Sequence, residues 1–373
     1  MKFAILGTRG IPNNYGGFEQ LAQYLSVGLV EKGHEVYVYN SHNHPYQEKN
    51  YKGVNIIHCF DPEKQIGTAG QFVYDLNCML DARKRSFDAI LNLGYTSSSV
   101  WMRWFPSRSL LITNMDGFEW KRSKFNKQVR RFLKFAEKLA VSYSDVLVAD
   151  SRFIQKYFEE KYEKSPVYIA YGADLLEAPD QTVLLEYGLK AYDYNILVAR
   201  MEPENNIDML LEGIRRSYTK KPILIIGQTN NGYSKYLIKK FAADPRFIFM
   251  GPMYDAKKIN NLRYYSYAYF HGHSVGGTNP SLLEAMGCRC FIIAHNNEFN
   301  RMVLGENAYY FKEAVDIEGI LQKADRNSPQ TQQWIATNFL KIKKDYSWPF
   351  IIAEYETLMT KGILPRSKSL LRR

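Results

Sequence analysis

No apolar run in this chain approaches the roughly 20 residues that cross a bilayer, so a transmembrane helix is not expected. The segment after Met1, Lys2-Phe-Ala-Ile-Leu-Gly7, has the look of a strand and not of a signal peptide. Cysteine is scarce. The four present (Cys59, Cys78, Cys288, Cys290) include no CxxC pair, which excludes a disulfide framework and suits a reducing cytoplasm. Cys288 and Cys290 flank an expected strand start and read as small apolar residues, not metal ligands. The chain has no Asp-x-Asp metal motif, no internal repeat and no low-complexity segment.

What is present is an ordinary globular composition with a lopsided charge. A hydrophobic fraction of 46% and a charged fraction of 23% argue against disorder. The 49 Lys and Arg against 38 Asp and Glu leave +11, with a pI of about 9.2, so an anionic partner is expected. Nucleic acid, an acidic membrane surface and phosphorylated substrates all fit that charge.

A chain of 373 residues exceeds one ordinary core, and two domains are expected. The first forty residues form a β-loop-α-β unit: strand Phe3 to Leu6, a Gly-rich loop from Gly7 to Gly17, a helix with the stripe Leu21, Leu25 and Leu29 ending at Gly33, and strand Val36 to Tyr39. Short strands recur at Val54 to Ile57, Ala89 to Leu93, Leu110 to Thr113 and Val146 to Ala149. After a polar, Pro-containing stretch near Ala173 to Asp180 the alternation restarts, with strands at Ile196 to Ala199, Ile223 to Ile226, Phe247 to Met250, Ala268 to Phe270 and Phe291 to Ala294. This pattern predicts two doubly wound, Rossmann-like α/β domains, residues 1–173 and 174–344, with ligand between the facing carboxyl ends of the strands. Residues 345–373 read as a helix, Tyr346 to Met359, and a basic, frayed tail from Gly362 to Arg373.

Three segments carry chemistry. The loop Gly7-Thr-Arg-Gly-Ile-Pro-Asn-Asn-Tyr-Gly-Gly-Phe-Glu19 joins a strand to a helix, and Gly16 and Gly17 let backbone amides approach an anion. Its spacing is not GxGxxG, which argues against a nicotinamide dinucleotide; glycines that merely turn the chain are the alternative. In Ser274-Val-Gly-Gly-Thr-Asn-Pro-Ser-Leu-Leu-Glu-Ala-Met-Gly287, Asn279 or Thr278 caps a helix with Pro280 at its first position. Amides at that helix start suit a diphosphate or sugar hydroxyls. Glu284, one turn in, is placed to accept from a ribose diol, unless it is an ordinary surface carboxylate. In Lys121 to Ala140, Phe125, Val129, Phe132, Ala136 and Leu139 share one helical face, and Lys127, Arg131, Lys134 and Lys138 form a basic stripe. Such a helix fits an anionic membrane surface, with Trp101, Trp104 and Trp120 at headgroup depth, or a solvated cationic face over a packed helix.

Ser281-Leu-Leu-Glu-Ala-Met-Gly287 resembles the second half of the paired-glutamate signature of glycosyltransferase family 4. In order along the chain, Tyr171-Gly-Ala-Asp174, Asn195-Ile-Leu-Val-Ala-Arg-Met-Glu-Pro-Glu-Asn-Asn206 and Tyr346-Ser-Trp348 resemble further segments of that family. The resemblance implies a GT-B fold with a C-terminal helix crossing back to the N-terminal, acceptor-side domain, the C-terminal domain holding the nucleotide sugar. It departs at two positions: the family's first glutamate falls at Gly276 and its diphosphate-binding lysine at Asn205. The loop from Gly7 to Glu19, Asn114 to Arg122 and Gly276 to Met286 are similar to bacterial rhamnosyltransferases that build capsule and other surface polysaccharides.

That likeness implies dTDP-L-rhamnose as donor, a polyprenyl-diphosphate-linked saccharide as acceptor, and retention at the anomeric carbon. By position it implies that Arg200 compensates charge on the leaving diphosphate, and that Gly16 and Gly17 give amides to the same phosphates. Glu19 belongs to this substrate loop; Gly277, Thr278 and Asn279 hold the sugar, and Glu284 holds the ribose. Asp116 stands beside the sugar to orient or deprotonate a hydroxyl, or caps the loop before Phe118. No cofactor and no metal are expected, and the enzyme is expected in the cytoplasm, peripheral to the inner face of the membrane. A UDP- or GDP-sugar donor, a sugar-nucleotide epimerase of the same architecture and a nucleic-acid-binding protein are the alternatives. The epimerase needs a ring of acid and base side chains that does not assemble, and no nucleic-acid reading module is present.

Overall fold

The computed structural model describes residues 1–14, 16–115, 117–121 and 125–361. It divides into two compact units, one of Met1–Lys121, Phe125–Tyr171 and the C-terminal helix from Trp348, the other of Gly172–Ser347.

In the first unit the strands are β1 (Lys2–Leu6), β2 (Glu35–Ser41), β3 (Asn50–Tyr51), β4 (Val54–Cys59), β5 (Ala89–Leu93), β6 (Leu110–Asn114), β7 (Val146–Ala149) and β8 (Val167–Tyr168). They line up as β3-β4-β2-β1-β5-β6-β7-β8, parallel except for the β3-β4 pair. β1 pairs with β2 through Phe3 opposite Val36 and with β5 through Phe3 opposite Ala89. Helices cover both faces, so the central strands are near-continuous apolar runs, and Phe3, Ala4 and Ile5 have no exposed surface. The helix Gly17–Glu31 buries Leu21, Leu25 and Leu29, the expected stripe.

The last helix, Trp348–Lys361, belongs to this unit. Trp348 stacks on Tyr24 with ring centroids 4.2 Å apart, and the Tyr355 hydroxyl accepts from Asn114 Nδ2 at 3.1 Å. It begins two residues later than expected because Tyr346 and Ser347 are used elsewhere. The Tyr346 carbonyl accepts from Ala173 N at 2.8 Å, and Ser347 forms a parallel bridge with Ala173.

The second unit holds β9 (Asn195–Val198), β10 (Ile223–Ile226), β11 (Phe247–Gly251), β12 (Tyr269–His271), β13 (Ile292–His295) and β14 (Tyr309–Phe311), in the order β11-β10-β9-β12-β13-β14. Every pair is parallel. One face of this sheet packs Leu197, Ile225, Phe270 and Ile293 against Leu210, Leu211 and Ile214 of the helix Ile207–Arg216. Three strands that periodicity gives no sign of, β3, β8 and β14, lie at sheet edges and have two or three residues each.

Candidate functional site

In the second unit the chain runs outward from β9 to β10 and β11, then returns to the other side of β9 as β12. The strand order therefore reverses between β9 and β12, and the crevice at their carboxyl ends is where doubly wound sheets bind ligands. The two segments singled out from the sequence leave from these two strands. Arg200 stands two residues beyond β9, and Gly276 to Asn279 follow β12. The two loops are tied together: Ser274 N and Oγ donate to the Glu204 carbonyl at 3.1 and 2.7 Å, and Asn206 Nδ2 donates to the Gly272 carbonyl at 2.8 Å.

Arg200 is exposed, and only its backbone carbonyl is engaged, accepting from Glu202 N and from Asn205 Nδ2. Its guanidinium has no side-chain partner among the described residues, so a fixed backbone presents a permanent cation at the reversal point. Asn205 itself is buried, at 4% exposure, and closes this turn. Where the resembling family has a diphosphate-binding lysine, this chain uses a buried amide to shape the loop that carries Arg200.

Gly276 has φ +133°, and among the described residues nothing lies within 4 Å of the position a Cβ would take. An L-residue rarely adopts that backbone, so a glutamate at this position would be strained. Thr278 is buried, at 4% exposure, and Asn279 is the cap of the helix Pro280–Gly287, its Oδ1 accepting from Ser281 N at 3.0 Å. Ser281 Oγ bonds both Tyr269 Oη, at 2.5 Å, and the Val198 carbonyl, at 3.0 Å, fastening the helix start to β12 and β9. Glu284 sits one turn further in with its side chain 22% exposed, and its Oε2 accepts from Arg263 Nη2 at 2.5 Å.

Two residues here escaped the sequence reading. Arg263, on the helix Ala256–Tyr264, is 2% exposed. His271 ends β12 fully buried, stacked at 4.5 Å on His273, and neither ring nitrogen has a hydrogen-bond partner among the described residues. Burial first, then the neighbouring His273 and His295, push its pKa well below the usual histidine range, so the ring is neutral. An arginine on the helical face of Ile259 and Leu262, and the alternation Tyr269, His271, His273, are the local signals that mark these residues.

In the first unit the order reverses between β1 and β5, and the loop Gly7 to Gly17 leaves from β1. Gly16 is the extended N-terminal cap of the helix Gly17–Glu31, and both glycines are half-buried. Glu19 is buried, and its Oε1 accepts from Thr8 Oγ1 at 3.1 Å and Arg9 N at 3.0 Å. Its carboxylate holds the loop's own backbone. Asp116 lies outside the described residues. The segment beyond it is anchored by Glu137, a fully buried carboxylate on the helix Lys127–Tyr143 that the sequence reading did not single out. Glu137 Oε2 accepts from Trp120 Nε1 at 3.0 Å, and Oε1 accepts from Tyr157 Oη, Tyr162 Oη and Lys161 Nζ at 2.7 to 2.8 Å.

The same helix exposes Lys127, Arg131, Lys134 and Lys138, with Phe135 among them at 54% exposure. Its opposite side is turned inward: Leu133, Ala136, Glu137 and Ala140 are buried, and Phe132 meets Phe72. Of the expected apolar stripe, Ala136 is buried and Phe125, Val129, Phe132 and Leu139 are half-buried, while the buried side of the helix is centred on Leu133 and Ala136 and includes a charged residue. Of the three tryptophans expected at headgroup depth, Trp101 donates to the Phe72 carbonyl, Trp120 to Glu137, and Trp104 is 40% exposed. No described helix is long and apolar enough to cross a membrane.

Comparison with known proteins gives this geometry a class. Residues 1–174 match a domain of unknown function (DUF1972), and residues 190–330 match the family described as glycosyl transferases group 1. No curated protein matches the chain in sequence. Among solved structures it is similar to sucrose-phosphate synthase from Thermosynechococcus elongatus, with a TM-score of 0.79 and 14% identity over 96% of this chain and 98% of that one. It is similar to Anabaena HepE in complex with UDP-glucose, with a TM-score of 0.74 and 15% identity over 96% and 100% of the two chains. A glycosyltransferase from Rickettsia africae also aligns, with a TM-score of 0.74 and 12% identity over 98% and 100%.

The fold is thus GT-B, with two Rossmann-like, parallel-sheet domains. With residues 190–330, which hold Arg200, Gly276 to Asn279 and Glu284, matching the glycosyl transferases group 1 model, the chain is a glycosyltransferase.

Proposed function

We propose that this enzyme transfers L-rhamnose from dTDP-L-rhamnose, with retention, to a saccharide carried on a polyprenyl diphosphate, in the synthesis of capsule or another surface polysaccharide. The observation that carries the reading is the tie, at the β9/β12 reversal, between the loop of Arg200, whose guanidinium has no side-chain partner among the described residues, and the loop that runs into Gly276 to Asn279. Arg200 meets the charge that grows on the leaving diphosphate as the anomeric bond breaks, in place of a divalent ion. Amides at the start of the helix Pro280–Gly287 face the donor, and Glu284 accepts from the nucleoside sugar. The departing phosphate takes the acceptor proton. The likeness of the loops at Gly7 to Glu19 and Gly276 to Met286 to rhamnosyltransferases supports the donor, and the positive-φ backbone at Gly276 supports a sugar contact set of its own. The basic face of the helix Lys127–Tyr143 suits the inner surface of the cell membrane, where such an acceptor is held.

A UDP-sugar donor is the second reading, favoured by the likeness to HepE, which was solved with UDP-glucose. Calorimetric titration with dTDP, UDP and GDP separates the two, the proposal expecting dTDP to bind tightest. Release of dTDP from dTDP-L-rhamnose in EDTA, only when lipid-linked acceptor is added, is the expected activity. Activity abolished by EDTA and restored by manganese or magnesium overturns the metal-free mechanism. Arg200→Ala is expected to cut turnover by about 100-fold or more while nucleotide binding changes far less, the pattern of a group that acts on developing charge. Glu284→Gln is expected to weaken nucleotide binding by roughly ten- to a hundredfold, the worth of a charged hydrogen-bond acceptor.

A further inference from the structure

Arg263 is an arginine with almost no exposed surface whose single carboxylate partner among the described residues is Glu284. Its Nη2 donates to Glu284 Oε2 at 2.5 Å and its Nη1 to Asn260 Oδ1 at 2.9 Å, so the guanidinium is anchored on its own helix and aimed across to the next. Glu284 is the asymmetric partner: its side chain is 22% exposed where that of Arg263 is 2% exposed. A buried ion pair is a weak way to gain stability, because desolvating two charges costs about as much as their attraction returns, and apolar residues of the same volume serve as well. What such a pair does supply is a fixed charge in a fixed place. A glutamate alone spreads over several rotamers and loses that freedom when it binds; one held on one oxygen by a buried guanidinium has already lost it.

We propose that Arg263 is the positioning residue of the nucleotide site, pinning Glu284 in one rotamer so that the carboxylate meets a nucleoside hydroxyl without reordering. This rests on the reading of Glu284 as the nucleoside contact. The other end of the helix is fastened separately, by Ser281 to Tyr269 and the Val198 carbonyl, so the loss of Arg263 leaves the helix start in place and removes its ion pair from Glu284.

A double-mutant cycle on the full chain tests this, with dTDP and UDP as probes in calorimetric titration and folding checked by thermal melting. Arg263→Met is expected to weaken nucleotide binding about tenfold in the wild-type background and to cost almost nothing further in the Glu284→Gln background. Arg263→Lys, which keeps the charge but not the planar fork, is expected to fall between wild type and Arg263→Met, and it carries the test if Arg263→Met does not fold. Equal losses in both backgrounds would mean that Arg263 supports the domain in general, and the proposal fails. Full affinity in the folded arginine variants, with Glu284→Gln still impaired, also overturns it while leaving the reading of Glu284 intact. If Glu284→Gln itself binds normally, the underlying reading falls, and the positioning role falls with it.

Discussion

A glutamate introduced at Gly276 would occupy open space, yet it would have to do so from a backbone at φ +133°, which costs an L-residue roughly 1–3 kcal/mol. Gly276→Glu is therefore expected to lower the melting temperature without raising turnover, and Gly276→Ala to lower it by a similar amount. Scanning calorimetry with a donor-turnover assay checks both, and higher turnover in Gly276→Glu would show that the family's sugar contact can be rebuilt on this loop. At this scale the sequence showed where chemistry stands better than what holds it. Asn279, Pro280 and Gly287 announced the helix that carries Glu284 because caps are local signals, read within a few positions. Arg263 escaped notice because its partner is 21 positions away on another helix, and no periodicity links them. The meaning of Asn205 was equally hidden: a lost lysine is visible in sequence, but the amide closing the Arg200 turn is not.

Among the elements, long apolar stripes translated directly into structure. Leu21, Leu25 and Leu29 recur every four residues and are all buried. β3, β8 and β14 were illegible, since two or three residues at a sheet edge show no period. The stripe in the helix Lys127–Tyr143 was displaced because the buried side contains Glu137, which a reading by hydrophobicity assigns to solvent. The packing of the last helix turns on Gly28. A Cβ there would stand 2.4 Å from Ile352 Cδ1 and 3.1 Å from its Cγ atoms, so the absence of a side chain lets Trp348–Lys361 approach Gly17–Glu31. Gly28→Val is expected to destabilise the first unit by about 1–3 kcal/mol through overpacking. The penalty should shrink when Ile352 is also alanine, because the two atoms in conflict are then no longer both present. Thermal melts of the four proteins give that coupling, and additive losses would show that the helices do not meet through this pair.

For the molecule as a whole, the formal charge of +11 is the property with the widest consequence, and the structure narrows how it can act. Lys127, Arg131, Lys134 and Lys138 project from a helix whose other side packs in its own unit, and the apolar stripe expected to enter a membrane is buried there at Ala136 and half-buried at Phe125, Val129, Phe132 and Leu139. Attachment, as proposed above, then rests on charge, with Phe135 as an exposed apolar side chain among those cations. Each cation near an anionic surface is worth about 1 kcal/mol, and four give roughly 4 kcal/mol, about a thousandfold in binding. Such an attraction is screened over about 10 Å at 0.1 M salt and about 3 Å at 1 M, whereas an inserted apolar face is not weakened by salt. The protein is expected to sediment with vesicles rich in phosphatidylglycerol at low salt and to leave them at about 0.5 M salt, where the screening length is a few ångströms. Replacing the four cations by glutamine is expected to abolish sedimentation at low salt while leaving nucleotide affinity unchanged, since none of them lies in the domain that holds Arg200 and Glu284. Binding that survives both the salt and the substitutions would place the attachment elsewhere on the molecule and remove this helix from the account.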